Sequence, residues 1–321
     1  MRYNKVMPFK SHTLAFIFLV ILCLPAAAKP RLKKENLAYF QDQEATLKVM
    51  ARDILYGYSD NDKLETSEKF SKLLRTVLNH EQSFLYPFDS LVTIARVVPS
   101  DKAFRILNWN LPMKDGTFRY FGYIQKPDKK NNTSILFELN DVSDEITEPE
   151  RQLLSNKKWL GAHYYTAIPE KKKRSKYYTL IGWDGNTTET TKKVIDVMYF
   201  EGNTVRFGAP LFNYPKHERA NRLVFEYSSQ AVMSIRYYAD TKRIVMDHLA
   251  PSKPQFEGQL RYYGPDMTYD ALVLEDGKWT YVPNIDMKNS SNGTLSEVAP
   301  TLEDRSKLEQ GTKKGLFPKK P

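Results

Sequence analysis

The residues best equipped for chemistry are Asp247-His248, a carboxylate beside an imidazole, with Ser228, Asp266 and Asp270 elsewhere in the chain. An imidazole oriented by a carboxylate can take a proton from a hydroxyl or a water, the core step of many hydrolases. Side chains alternate along a strand from Arg243 to Leu249. Ile244, Met246 and His248 then share one face, and Val245, Asp247 and Leu249 the other. Neighbours on one strand cannot orient each other; the two could act only with residues from other strands, and structural hydrogen bonding at the strand end is the alternative. Asp184, in the turn Asp184-Gly185-Asn186, completes the acidic candidates with Asp247 and Asp266. No G-x-S-x-G nucleophile elbow and no Gly-rich phosphate loop is present.

Metal chemistry finds little support. His80-Glu81 and His217-Glu218 begin like H-E-x-x-H, but Phe84 and Asn221 occupy the final position. His163 and His248 have no second ligand at helical spacing. Asp115-Gly116 and Asp184-Gly185-Asn186 are turn sequences and do not extend to a calcium loop. Neither a metal nor another cofactor is expected.

Binding candidates are of two kinds. Lys171-Lys172-Lys173-Arg174 with Lys176 forms a basic run, and Lys313, Lys314, Lys319 and Lys320 form another. Such runs attract anionic polymers or keep a surface soluble. The first lacks interleaved aromatics, and no nucleic-acid fold signature accompanies it, so a nucleic-acid partner is not expected. Trp109, Trp159, Trp183 and Trp279, with 20 tyrosines, could stack on sugars or build sheet cores. Trp183 is the binding candidate among these aromatics.

The elements that must position these residues are legible in outline. Arg2, Lys5 and Lys10 precede the apolar run Leu14 to Leu24, Pro25 and Ala26-Ala27-Ala28, the order of a signal peptide cleaved after Ala28. The apolar run is too short for a membrane span, so none is expected in the mature chain. The single cysteine, Cys23, leaves with this leader, and the compartment expected is the periplasm or the extracellular space. Leu37, Phe40, Leu47, Ala51, Ile54 and Tyr58 recur at helical steps, with Glu44 as the one polar break. The cluster Ser59-Asp60-Asn61-Asp62 reads as the end of that helix. A second helix then runs from about Thr66 to His80, capped by Thr66 or Ser67. From Tyr86 onward, strands follow at short intervals, with a possible short helix over 149–156 and a single strand over 205–212. Asp276-Gly277 marks a two-residue hairpin. The expected fold is α+β and mainly β: a helical hairpin (29–85) on an antiparallel sandwich, barrel or meander (86–287), then a disordered basic tail (288–321).

Tyr86-Pro87-Phe88-Asp89-Ser90-Leu91, Arg119-Tyr120-Phe121-Gly122, Gly182-Trp183-Asp184-Gly185, Phe207-Gly208-Ala209-Pro210, Asp247-His248-Leu249 and Gly277-Lys278-Trp279 together resemble a group of uncharacterised exported proteins from Bacteroidota. The resemblance runs from about Leu47 to Val282 and implies export in a Gram-negative bacterium. It implies no activity and carries over no catalytic residue. The function expected is a non-catalytic binding or assembly component of the envelope, with an anionic polymer or an envelope protein as partner. A hydrolase acting through Asp184, Asp247, His248 or Asp266 and a carbohydrate-binding module stay open.

Overall fold

Periodic burial builds the first helix. A computed structural model describes residues 31–128, 133–172, 174–215 and 219–286. The leader, the basic tail, Lys173 and His217 lie outside the described residues. Helix α1 (Lys34–Tyr56) buries Phe40, Glu44, Leu47, Ala51 and Ile54, which follow one another at alternating steps of four and three. Leu37 and Tyr58 depart from the expected face and are exposed. Asn36 is buried in their stead, its amide donating to Gln82 Oε1 at 3.0 Å. Glu44 does not break the packing. Its carboxylate accepts from the Tyr86 hydroxyl and from the Ser90 backbone N–H at 2.8 Å, docking the chain that follows the helices.

Helix α2 (Asp60–Asn79) starts a turn and a half earlier than the sequence periodicity indicates. The Ser59–Asp62 cluster, read as a terminator, is a capping box. Ser59 Oγ accepts from the Asp62 N–H, and Asp62 Oδ2 accepts from the Ser59 N–H, each at 3.1 Å. Two orphan donors are thereby satisfied, which is why the helix begins there and not at Thr66.

Fifteen strands follow among the described residues: β1 (Ala95–Val97), β2 (Arg105–Pro112), β3 (Phe118–Asp128), β4 (Thr133–Asn140), β5 (Leu154–Ser155), β6 (His163–Lys172), β7 (Ser175–Asp184) and β8 (Thr190–Glu201). Then come β9 (Thr204–Phe207), β10 (Phe212–Asn213), β11 (Leu223–Ser228), β12 (Ile235–Tyr238), β13 (Arg243–Pro251), β14 (Tyr263–Glu275) and β15 (Lys278–Val282). They form three sheets. The first is β1-β2-β3-β4. The second is β5-β9-β8-β7-β6 with β11 alongside β8. The third is β10-β15-β14-β13-β12. Pairings between these strands are antiparallel except β10 with β15.

Alternation along the strands stacks these sheets. Leu107, Trp109 and Leu111 of β2 pack on α1 and α2, whereas Ile106 of the same strand joins Tyr178, Leu180, Val194 and Met198 of the second sheet. The opposite face of that sheet, with Ile181, Ile195 and Val197, meets Ile244, Met246, Leu272 and Trp279 of the third. The layers are thus helices, sheet, sheet, sheet, and the architecture is a stack of sheets, not a barrel.

Two segments depart from expectation. Residues 149–156 form a single 3-10 turn, Pro149–Arg151, and then β5. The Arg222 guanidinium claims the carbonyls of Pro149 and Gln152, which a continuing helix would need. The single strand over 205–212 is two strands in different sheets, separated by Gly208 at φ +95°.

The hairpin at Asp276-Gly277 has φ +48° and +69°, as a type I′ turn requires. A Cβ on Gly277 would also lie 3.0 Å from Lys172 Cβ and 3.1 Å from the Lys171 carbonyl. Gly277→Val should therefore cost about 2 kcal/mol or more, since a β-branched residue resists positive φ. A urea midpoint equal to that of the parent protein would refute the assignment.

Candidate functional site

The described residues of the basic run, Lys171, Lys172, Arg174 and Lys176, lie at the far end of the β6–β7 hairpin, which pairs as far as Lys171↔Lys176 and Lys172↔Ser175. Pairing of β7 with β8 runs only from Asp184↔Lys192 to Tyr178↔Met198. Beyond that point β7 continues back to Ser175, while β8 runs on to Glu201 beside β9. The two strands part there and open a cleft of about 430 Å³ between Arg174, Lys176 and Tyr177 on one wall and Tyr199, Phe200 and Glu201 on the other.

This cleft joins charge to aromatic surface. The Tyr177 and Tyr199 rings meet edge to face at 5.6 Å. The Lys126 ammonium lies 4.5 Å from the centre of the Phe200 ring, within cation–π range. Lys176 is committed to Asp101, and that hydrogen bond raises the pKa of its ammonium. Glu201 is paired with Arg206 at 2.7 Å. Arg174 and Lys171 are exposed, and Lys172 is half-buried. Glu170, next along β6, is buried, and burial pushes its carboxyl up to about 7 against the opposing charge of Lys242. At neutral pH it is therefore about half protonated and offsets only part of the positive charge beside it. The run's missing aromatics come from β8, nearly thirty residues away in sequence.

The acidic candidates do not converge. Asp247 Oδ2 accepts from the Ser234 N–H at 2.7 Å and fastens the approach to β12. Asp266 Oδ1 accepts from the Thr268 N–H and hydroxyl at 3.0 and 2.7 Å, shaping a bulge where Met267 has φ +70°. His248, opposite that bulge, takes its carboxylate from β14: Nδ1 is 2.7 Å from Asp270 Oδ2. Asp270 also accepts from the Tyr281 hydroxyl at 2.8 Å and the Asn284 N–H at 3.0 Å. Burial alone would raise the Asp270 carboxyl, but these bonds hold it below the usual carboxylate range. The dyad ties β13 and β14 to β15 and the segment that follows it.

Asp184 lies elsewhere, in a cavity of about 320 Å³ at the mouth between the first and second sheets. Its Oδ1 accepts from the Tyr120 hydroxyl at 2.8 Å and the Asn186 N–H at 2.9 Å. Burial raises its carboxyl despite those bonds. Asp184 pairs in register with Lys192, and Lys192 with Glu226, so the three stand in a row across β7, β8 and β11. Glu226 and its place in that row had no signature in the sequence.

The tryptophans form no stacking row. Trp109, Trp159 and Trp279 are fully buried, their indole N–H groups donating to Ser67, Tyr164 and Thr179. Trp183 is half-buried and meets Phe118 edge-on at 5.3 Å. Among the described residues, no three His, Cys, Asp or Glu side chains converge as metal ligands, and no helix is long and apolar enough to cross a membrane. Comparison with protein-family models, curated proteins and solved structures finds no match.

Proposed function

We propose that this chain is an exported, non-catalytic binding component of a bacterial envelope, holding an anionic envelope polymer in the cleft where β7 parts from β8. The carrying observation is that cleft: Arg174, Tyr177, Tyr199 and Phe200 line it, Lys126 stands over the Phe200 ring, and Lys171 and Lys172 add positive charge from the neighbouring strand β6. The leader-like order of basic, apolar and small residues at 2–28 supports export. Separation of Asp184, Asp247 and Asp266 into different places, with no two of them converging, favours binding over hydrolysis.

Single exposed ion pairs contribute only about 0–1 kcal/mol and are screened by salt. Affinity must then come from several contacts at once, with sugar C–H patches on the rings adding to phosphate or carboxylate on the cations. The test is retention of the purified protein on lipopolysaccharide-coated beads, with neutral glucan beads as the control. Joint replacement Lys171→Glu, Lys172→Glu and Arg174→Glu should lower retention about tenfold or more, and raising salt well above about 0.15 M should do the same to the parent protein. Asp247→Asn should leave retention unchanged. Equal retention by the triple variant, or equal retention on neutral glucan, would defeat the reading.

A further inference from the structure

We infer that the cavity between the first and second sheets is a second binding site, built for a neutral, hydroxyl-rich ligand of saccharide size. It lies at the opposite end of β7 and β8 from the basic cleft and is opposite to it in charge. Its volume, about 320 Å³, lies at the small-ligand end of natural pockets, which run from about 300 Å³ upward. Phe118, Leu160, Val194 and Val224 supply apolar wall, against which the C–H face of a sugar ring can lie. Gly185 makes room for Phe118: a Cβ there would fall 2.1 Å from the ring.

The polar side is an ordered row. Asp184, Lys192 and Glu226 are in-register neighbours on three consecutive strands, so their side chains leave the same face of the sheet. The order is acceptor, donor, acceptor. Adjacent hydroxyls of a sugar each donate and accept, and so match that alternation. The row is held rigid from behind. Lys192 Nζ lies 2.7 Å from Asn186 Oδ1 and 3.8 Å from Glu226 Oε2, and the Thr190 hydroxyl donates to Glu226 Oε1 at 2.6 Å. Preorganised polar groups of this kind lower the ordering cost of binding.

Charge decides the ligand class. Asp144, Glu150, Asp184 and Glu226 line the cavity with Lys192, and Asp144 is paired outward with Arg119 at 2.8 Å. That excess of carboxylate repels an anionic ligand. The central Lys192 ammonium repels an amine that would bridge the two carboxylates of the row. A neutral polyol satisfies both constraints.

The test is saturation-transfer NMR on the whole chain with methyl glucoside, methyl galactoside, methyl mannoside and methyl N-acetylglucosaminide as probes. At least one should receive magnetisation at its ring C–H protons, and Glu226→Gln and Lys192→Met should each remove most of that transfer. Val224→Trp, which fills the cavity from its apolar wall, should abolish it. Thermal unfolding of each variant near the parent value confirms that loss of transfer is not loss of fold. Absence of transfer from every probe would overturn the inference. So would transfer that persists undiminished in both folded row variants, stronger transfer to methyl glucuronide than to methyl glucoside, or Asp184-dependent cleavage of a nitrophenyl glycoside.

Discussion

Arg222→Ala is expected to cost about 3–5 kcal/mol, enough to leave much of the chain unfolded at physiological temperature. Arg222 and Asp196 are both fully buried, with Nε 3.0 Å from Oδ2. Asp196 also accepts from the Val197 N–H at 2.8 Å, and the guanidinium holds the carbonyls of Pro149 and Gln152. Burial drives the Asp196 carboxyl upward, and the arginine is the main force opposing it. Without that charge, Asp196 must fold as the neutral acid. The folded variant then binds a proton that the unfolded chain releases above about pH 4, so its stability falls as pH rises from there. Urea unfolding in mild acid and at neutral pH should show this slope in Arg222→Ala and a much weaker one in the parent. Asp196→Leu added to Arg222→Met should recover part of the loss and abolish the slope. The Gln152 carbonyl, left unpaired, would keep recovery incomplete. A stability loss under 1 kcal/mol for Arg222→Ala would show that the pair is not what joins the 149–152 turn to the second sheet.

Arg105→Ala should be nearly as severe, at about 3–4 kcal/mol, by a different mechanism. Arg105 is buried, and its fork donates to Gln125 Oε1 at 2.6 Å, the Tyr86 carbonyl at 2.6 Å and the Ser83 carbonyl at 2.8 Å. Its guanidinium carbon sits 4.8 Å from the Phe88 ring centre. Burial, with the nearby charge of Arg96, pulls its pKa down to about 9. Gln125 in turn donates to the Leu78 carbonyl at 2.9 Å, near the end of α2. One guanidinium thus fastens the segment after the helices to the first sheet. Arg105→Lys cannot reproduce the fork and should lose more than half as much as alanine. Limited proteolysis should cut both variants first within 79–92. Cleavage elsewhere, with 79–92 still protected, would contradict the role assigned to this side chain.

What the sequence could show about the candidate sites was limited by distance along the chain. Lys171 to Arg174 is visible as a run. Its partners Tyr199 and Phe200 are visible only as two more aromatics in β8. His248 signals itself by type, and Asp270 stands among the candidates with Ser228 and Asp266, but nothing joins the two until β13 and β14 pair. Asp247, beside it in sequence, was the nearer candidate and caps a different loop. Strand alternation excluded the adjacent pair correctly and could not supply the replacement.

Local physics determined what lies within a few residues. Helical spacing placed the core of α1, and Asp276-Gly277 set the last hairpin, because positive φ is a property of two adjacent residues. The same spacing misjudged Leu37 and the start of α2. Burial in the first turn follows contacts with Gln82, and the capping box needs side-chain geometry that composition does not display. Tertiary structure alone decided that Arg222 meets Asp196, that Arg105 finds acceptors but no carboxylate among its bonded partners, and that Asp184, Lys192 and Glu226 form a row. Each joins strands or segments whose adjacency is fixed by how three sheets bury their faces together. Burial of a face rewards an alternating pattern that many strands share, and it names no partner until the stack has formed.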